Sequence, residues 1–210
     1  HCPLRFYYQY GLGLKEKELS FEEPESRDIG TFVHELLAQE FAKFLKAKPK
    51  LDAYFKKEFF RALDEKFSRE FEKKMKSDSF LLQEVVKFRL ERFLNNEKRR
   101  KVKSIACLEE AFKGRLNEIK LKAVVDRIDI LENSEALIID YKTGGGDLLP
   151  DTNAERIEDL GFSRAALKKS IKSFQLPLYV YLVGVEASYK KYALNAALYF
   201  FKDFKQDFGM

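Results

Sequence analysis

Two aspartates and a lysine near the middle of the chain are of types and spacing that could perform chemistry together. Asp126 lies in a stretch that alternates apolar and polar residues, and Asp140 ends a short β-rich run. The polar residues 132–135 between them predict a hairpin turn, which would bring both carboxylates towards one end of a sheet. Lys142 follows Asp140 by two residues, so its side chain is expected on the same face.

This combination favours a metal site. Two neighbouring carboxylates are costly to bury, because like charges repel and each ion loses its hydration. A divalent cation removes that cost, and Mg²⁺ prefers such oxygen ligands. Lys142 could then steady an attacking water or a phosphate oxygen. These are the requirements of phosphodiester hydrolysis, in which metal ions generate the nucleophile and stabilise the transition-state charge.

The sequence around these residues resembles a known family. The segments DRID and IIDYKTG resemble the metal site of the PD-(D/E)XK nuclease superfamily. Three further segments resemble its RecB-like and AddB-like exonuclease domains: CPLRFYY at 2–8, GTFVHELL at 30–37 and QLPLY at 175–179. A single D-x-K recurs by chance, whereas five matches in the family's order are specific.

The resemblance implies roles for particular residues. In RecB-like nucleases the histidine of the G-x-x-x-H helix reaches the metal, and the Q-x-x-x-Y residues stand over the active site. The implied metal ligands are His34, Asp126, Asp140 and the main-chain carbonyl of Tyr141. The implied catalytic residues are Asp126, Asp140, Lys142, Gln175 and Tyr179. From the sequence alone, His34 fits a core-edge histidine bonded to backbone at least as well.

A second group of residues could contact nucleic acid. Residues 163–189 predict a helical region interrupted by Pro177. If the helix is continuous, four residues share one face, where lysines would neutralise phosphates and neutral groups would donate hydrogen bonds. These residues are Lys168, Lys172, Gln175 and Tyr179. Tyr179 taken alone fits an aromatic core residue equally well.

The remaining patterns predict an α/β fold. We expect one domain over residues 1–210, with a restriction-endonuclease-like core whose central mixed sheet has four or five strands flanked by helices. Apolar spacing predicts helices at 29–47, with Asp28 as N-cap, and at 51–76 and 79–100, the last two within a helical insertion at about 50–103. The apolar stripe of the third helix is predicted to contain Leu81, Val85, Phe88 and Phe93. Strands are predicted at 104–112, 118–131, around 137–139 and at 193–201.

Several charged residues leave more than one interpretation open. Glu109 and Glu110 could add a carboxylate to the site, although an ordinary strand or turn role is favoured. Arg127 or Asp129 could brace the metal ligands from behind. The basic run at 98–103 could complement a helix dipole or contact phosphate.

Composition sets only broad limits. The net charge is +5 and the pI is about 9.0, which permits a nucleic-acid partner without establishing one. Cys2 and Cys107 are the only cysteines, which favours a reducing, cytoplasmic location. Family members with an iron-sulfur cluster need four cysteine ligands, so such a cluster is not supported within this chain. No apolar run is long enough to span a membrane. Because the chain starts at His1 inside a family-like motif, we expect an excised domain of a larger protein.

The predicted function is that of a Mg²⁺- or Mn²⁺-dependent exodeoxyribonuclease. The resemblance implies the nuclease module of a RecB/AddB-type helicase-nuclease that processes double-strand breaks, with single-stranded DNA ends as substrate and a helicase domain or subunit as partner. One alternative is a catalytically silent nuclease-like module that binds DNA or serves as a scaffold. Another is a nuclease that acts on RNA.

Overall fold

The computed structural model describes residue 7 and residues 26–72, 79–144 and 173–201, and these form helices on both faces of a sheet. The main elements in chain order are α1 (Ser26–Phe41), α2 (Ala53–Phe67), α3 (Ser79–Glu97), β1 (Val102–Leu116), β2 (Ile119–Leu131), β3 (Glu135–Lys142), α4 (Gln175–Val185) and β4 (Ala193–Phe200). A 3₁₀ helix (Ala42–Phe44) follows α1, and a π-helical segment (Ser68–Glu72) follows α2.

The sheet has the strand order β1-β2-β3-β4. The pairs β1/β2 and β2/β3 are antiparallel, whereas β3 and β4 are parallel. The parallel pair needs a crossover, which contains α4. The prediction of an α/β fold with a mixed sheet is therefore confirmed, with four strands in the described part of the chain.

Helix α1 follows the predicted apolar stripe but has different ends. Phe32, Leu36 and Phe41 are at most 1% exposed. The helix begins at Ser26, so Asp28 lies in its first turn rather than at the N-cap, where its carboxylate still faces the positive end of the helix dipole. Lys46, with φ of 61°, follows the 3₁₀ turn, which explains why the helix ends before the predicted residue 47.

Helix α2 is defined by its cap and its repeating apolar residues. Asp52 accepts a hydrogen bond from the Phe55 backbone N–H at 2.8 Å, which fixes the N-terminus. Phe55, Phe59 and Leu63 recur every four residues and are buried. The helix was predicted to continue to residue 76, but its α-helical part ends at Phe67, and residues 73–78 lie outside the described range.

Helix α3 corrects the predicted apolar stripe. Leu81 and Phe88 are 67% and 56% exposed, so they do not face the core. Phe93 is buried as predicted, together with Val86, Leu90 and Leu94, which the predicted stripe did not include. Both sets have helical spacing, and only contact with the sheet selects between them. The helix ends at Glu97 rather than at residue 100.

Two hydrophobic cores lie on opposite faces of the sheet. Helices α1 to α3 pack on one face, in a core that includes Leu137 and Ile139 of β3. Helix α4 packs on the other face, in a core that includes Ile128 of β2 and Ile138 of β3. Central strands buried on both sides leave their polar residues no solvent to face, so each polar group there needs a partner.

Candidate active site

One side of the site gathers an imidazole and two carboxylates. His34 Nδ1 lies 3.4 Å from Asp126 Oδ2 and 3.8 Å from Glu109 Oε1. One ligand atom from each of these residues lies within 4.8 Å of the other two. Such a set of one nitrogen and two oxygen donors could hold a divalent cation. We refer to His34, Glu109 and Asp126 as the carboxylate–imidazole cluster.

Glu109 is the member that the sequence interpretation did not favour. Leu108 pairs with Arg127 and Glu110 with Val125, so Glu109 stands opposite Asp126 across the β1/β2 ladder. Glu109 has a φ of 47°, a conformation that is uncommon for any residue other than glycine and that often occurs at functional sites. Nothing in the local sequence separates Glu109 from Glu110, because only the register of the hairpin places one of them beside His34.

The other side of the site is a hydrogen-bonded group around Asp140, which is 2% exposed. Gln175 Nε2 donates to Asp140 Oδ1 at 2.6 Å, and the Tyr179 hydroxyl donates to the same oxygen at 3.2 Å. Lys142 Nζ donates to Gln175 Oε1 at 2.9 Å and lies 2.7 Å from Asp140 Oδ2. We call these four residues the Asp140 group. Tyr179 is therefore both a buried aromatic residue and a polar contact of the site.

The two sides meet where β2 and β3 separate. Their ladder pairing ends at Arg127 with Ile139, and the same register would place Asp126 opposite Asp140. The Tyr141 backbone N–H donates instead to Asp126 Oδ2 at 2.7 Å. The Tyr141 carbonyl lies 3.0 Å from His34 Nε2, which donates to it. The Asp126 carboxylate and the His34 imidazole thus take the place of ladder hydrogen bonds at Tyr141. Both aspartates therefore lie at the point where the two strands separate.

The electrostatics reflect this crowding of carboxylates. Burial lowers the pKa of His34, but hydrogen bonds to Asp126 and Glu109 and the charges of both outweigh it and raise the pKa to about 10. Burial raises the pKa of Asp140, and the negative charge of Asp126 adds to that rise, against opposing contacts with Lys142 and Tyr179. Without a metal ion, the protonated imidazole is the positive charge that compensates Asp126 and Glu109.

The residues present fit a divalent cation. Asp140 Oδ2 is buried, and within the described residues its polar partner is the Lys142 ammonium, 2.7 Å away. This oxygen already faces positive charge, which is what a metal ligand requires. The oxygen-rich donor set suits Mg²⁺ or Mn²⁺. Asp140 is not one of the three residues in the carboxylate–imidazole cluster, so its binding to a shared ion remains a prediction.

A buried charge network supports β2 behind the site. Arg127 and Asp129 are fully buried, with Arg127 Nε donating to Asp129 Oδ1 at 2.6 Å. Arg127 Nη2 lies 2.9 Å from Glu97 Oε2, and Arg100 Nη1 lies 2.7 Å from Asp129 Oδ2.

This network also holds a residue of the site, because Arg127 donates to the Tyr141 hydroxyl at 3.3 Å. Tyr141, whose backbone contacts both His34 and Asp126, is thereby fixed. Arg100 of the predicted basic run serves this network rather than a phosphate.

A cavity of about 510 Å³ opens beside the cluster. Helix α1 lies close to β3 at this point, since a Cβ on Gly30 would lie 3.1 Å from Thr143 Oγ1. The close approach explains the glycine one turn before His34. The cavity is lined by Gly30, Thr31, His34, Glu35, Ala38 and Glu109.

Some predicted features lie outside the described residues. Lys168 and Lys172 are among these, as are Cys2 and most of segment 2–8. Cys107 is buried as a free thiol, and burial raises its pKa to about 12. None of the described helices combines the length and apolar character that a membrane span requires.

The fold and the site together define a class of protein. Carboxylates, an imidazole and a lysine lie where two central strands of a mixed α/β sheet separate, a setting suited to a divalent cation beside an anionic substrate. The family model of the PD-(D/E)XK nuclease superfamily matches residues 1–208, and the chain belongs to that superfamily. Membership implies a hydrolytic nuclease that uses divalent metal ions and binds DNA, and the four-stranded sheet agrees with a restriction-endonuclease-like fold. A search of curated proteins found no match.

Proposed function

We propose that the protein is a Mg²⁺- or Mn²⁺-dependent deoxyribonuclease whose active site combines the carboxylate–imidazole cluster with the Asp140 group. The observation that carries the proposal is that potential ligand atoms of His34, Glu109 and Asp126 lie within 4.8 Å of one another, at the strand separation that also holds Asp140. Lys142 lies beside this carboxylate, at 2.7 Å. A bound cation would supply Lewis acidity and a low-pKa water.

The residues of the site have distinct roles in this proposal. Asp126 and Asp140, with His34 and the Tyr141 carbonyl, are the proposed ligands, and Glu109 adds a further carboxylate. Either ring nitrogen of His34 could bind the cation, because Nδ1 faces Asp126 and Glu109 while Nε2 faces the Tyr141 carbonyl.

The Asp140 group holds the charged side chains in position. Lys142 is proposed to stabilise negative charge on the reacting phosphate and to orient the attacking water. Gln175 bonds both Asp140 and Lys142, so it fixes the distance between the carboxylate and the ammonium. Gln175 and Tyr179 are also proposed to contact a DNA strand. They would do so through donors and acceptors that are not already used in their bonds to Asp140 and Lys142.

The test is cleavage of a labelled oligonucleotide by wild type, Asp126→Asn, Asp140→Asn and Lys142→Met, with Mg²⁺, Mn²⁺ or EDTA. We expect Asp126→Asn and Asp140→Asn to lose metal-dependent cleavage by about a hundredfold to a thousandfold, the size of effect seen when a key transition-state contact is removed. Lys50→Gln, which changes an exposed lysine before α2, is the control. Full activity of Asp126→Asn with an intact fold would refute the proposal.

Mn²⁺ titration calorimetry separates this proposal from a silent scaffold. A silent module would show no Mn²⁺ binding that is lost when Asp126 or Asp140 is replaced. The catalytic interpretation is favoured because no expected ligand and no lysine is missing from the sequence.

We further propose exonuclease action on single-stranded DNA ends, as part of a RecB/AddB-type helicase-nuclease in double-strand break repair. The support is the ordered set of motifs at 2–8, 30–37 and 175–179. The scarcity of cysteine supports a cytoplasmic location. Comparing linear with circular single strands, and DNA with RNA of one sequence, tests the end requirement and the sugar preference. Cleavage of the circle at an equal rate would refute exonuclease action.

A further inference from the structure

The β1/β2 hairpin extends well beyond the rest of the sheet. The β2/β3 ladder stops at Arg127, so residues 119–126 of β2 are paired with β1 alone. Helix α4 covers one face of this outer half. The Tyr181 hydroxyl donates to the Arg115 carbonyl, and a Cβ on Gly114 would lie 2.7 Å from Leu182 Cδ2. Phe112 is buried on that side.

The opposite face of the outer hairpin is basic and exposed. Lys113 stands directly opposite Lys122, and Arg115 stands opposite Lys120. All four side chains are exposed. Like charges directly opposite each other in an antiparallel pair are destabilising. Two such pairs in succession are a cost to the fold, which binding of an anion would offset. We call these four residues the basic ribbon.

Among the residues that the structure describes, ion pairs do little to neutralise the basic ribbon. Arg115 lies 3.8 Å from Glu118, whose side chain is 99% exposed. An ion pair of that length and exposure contributes little. Over the described residues, Lys113, Lys120 and Lys122 have no carboxylate within ion-pair distance.

The basic ribbon is continuous with the candidate active site. On the inner part of the hairpin, odd-numbered Cys107 of β1 and even-numbered Ile128 of β2 pack on the α4 side. Beyond Glu109 and Asp126, that side is occupied by an even-numbered residue of β1, Phe112, and by odd-numbered residues of β2, Ala123 and Val125. The alternation is therefore inverted on both strands at the two carboxylates. The face of the outer hairpin that points away from α4 therefore lies on the same side of the sheet as α1, from which His34 approaches Glu109.

The spacing along this face suits a polymer. At about 3.3 Å per residue, the Lys113/Lys122 pair lies roughly 13 Å from Glu109 and Asp126, and the Arg115/Lys120 pair about 20 Å away. Successive pairs are thus about 6.6 Å apart along the hairpin, so the four cations form one narrow row that can follow a single phosphate backbone. Ala111 and Val124 separate the ribbon from the site without adding charge.

We propose that the basic ribbon binds successive phosphates of a single-stranded nucleic acid and leads that strand to the carboxylate–imidazole cluster. The inference rests on the proposed function for the direction of the strand, but the binding itself can be measured without any cleavage. Sequence preference is not expected, because lysine and arginine here would contact phosphate rather than base edges.

The test is anisotropy titration of a fluorescein-labelled 16-nucleotide single strand in EDTA, from 50 to 200 mM KCl. The ribbon variant is Lys113→Gln with Lys122→Gln. The matched control is Lys50→Gln with Lys57→Gln, which removes the same charge from exposed positions around the start of α2. We expect the ribbon variant to weaken binding and to reduce the slope of log K against log salt by about 1.4, at about 0.7 per lost phosphate contact. Equal effects of both variants, or none, would overturn the proposal.

Two further measurements separate the possible failures. If the ribbon guides the strand, the ribbon variant loses kcat/KM on the 16-mer but keeps it on a dinucleotide, which is too short to reach Lys113 from the site. If no form of the protein cleaves DNA, the anisotropy result still decides whether the ribbon binds. A loss of duplex binding with unchanged single-strand binding would contradict the proposed ligand. Melting temperatures no lower than that of the wild type would show that both variants fold.

Discussion

At the scale of single residues, His34 is the point at which the two parts of the site meet. One ring nitrogen faces Asp126 and Glu109, and the other donates to the backbone of β3. A protonated imidazole and a metal ion would satisfy the same carboxylates. Metal binding is therefore expected to displace a proton from this group, as is usual where ligands must be deprotonated.

Glu109 provides the most specific test of the cluster. Glu109→Gln removes one charge 3.8 Å from His34 while keeping the side chain's size. We expect the affinity for Mn²⁺ to fall by at least about tenfold, which is the lower end of what loss of a supporting contact costs a metal site. Calorimetry measures this directly. Glu110→Gln is the control, since Glu110 is the neighbouring exposed carboxylate and lies outside the cluster. Equal losses in both variants would contradict a specific role.

Tyr179 tests how Asp140 is held. Tyr179→Phe keeps the ring in the core but removes the hydroxyl, which donates to Asp140 Oδ1 and accepts from Gln175 Nε2. We expect the unfolding free energy to fall by about 1–3 kcal/mol, the usual worth of two hydrogen bonds, while kcat/KM falls roughly tenfold. Tyr181→Phe serves as control, because the Tyr181 hydroxyl bonds the Arg115 carbonyl on the exposed hairpin. A fall in activity that merely tracks lost stability would argue against positioning.

At the scale of elements, the end of α3 is joined to β2 by buried charges. Burial raises the pKa of Glu97, but the positive charges of Arg127 and Arg100 outweigh it, so that the pKa lies below its ordinary value of 4.5. Glu97 thus stabilises the fold fully above pH 4.5 and loses that contribution as the pH falls through its lower folded value.

Glu97→Gln is expected to destabilise the protein by about 3–5 kcal/mol at neutral pH, because it leaves two buried guanidinium groups short of a counter-charge. Urea unfolding measures the difference, and it should shrink below pH 4.5 as the wild-type carboxylate becomes protonated. Glu91→Gln, which breaks an exposed pair with Lys56, should cost under about 1 kcal/mol. A gap between wild type and Glu97→Gln that widens in acid would contradict the assignment.

The elements also indicate how far sequence reasoning reaches. Alternation and turn residues located the β2/β3 hairpin, since those signals are local. The apolar stripe of α3 was right at Phe93 but wrong at its other three positions, because Leu81 and Val86 both have helical spacing and only the sheet decides which is buried. Glu109 could not be selected over Glu110 for a similar reason. Its place opposite Asp126 depends on a ladder register and on a φ of 47°, neither of which is encoded locally.

At the scale of the whole molecule, a modest charge of +5 is less informative than where the charges lie. Four cations on one exposed hairpin face continue from the carboxylates of the site, whereas most lysines on the described helices have carboxylate neighbours. The motif matches span nearly the whole chain, which explains why family and fold could be predicted together. The ribbon was not predicted, because its face is set by the inversion at the two carboxylates.

The central claim is that a divalent cation binds where β2 and β3 separate. A crystal soaked in Mn²⁺ and measured at the manganese absorption edge tests it most directly. We expect an anomalous peak within bonding distance of the Asp126 carboxylate and a ring nitrogen of His34, together with Asp140 or Glu109. A soaked crystal with no peak at Asp126, or with its strongest peak elsewhere on the protein, would contradict it.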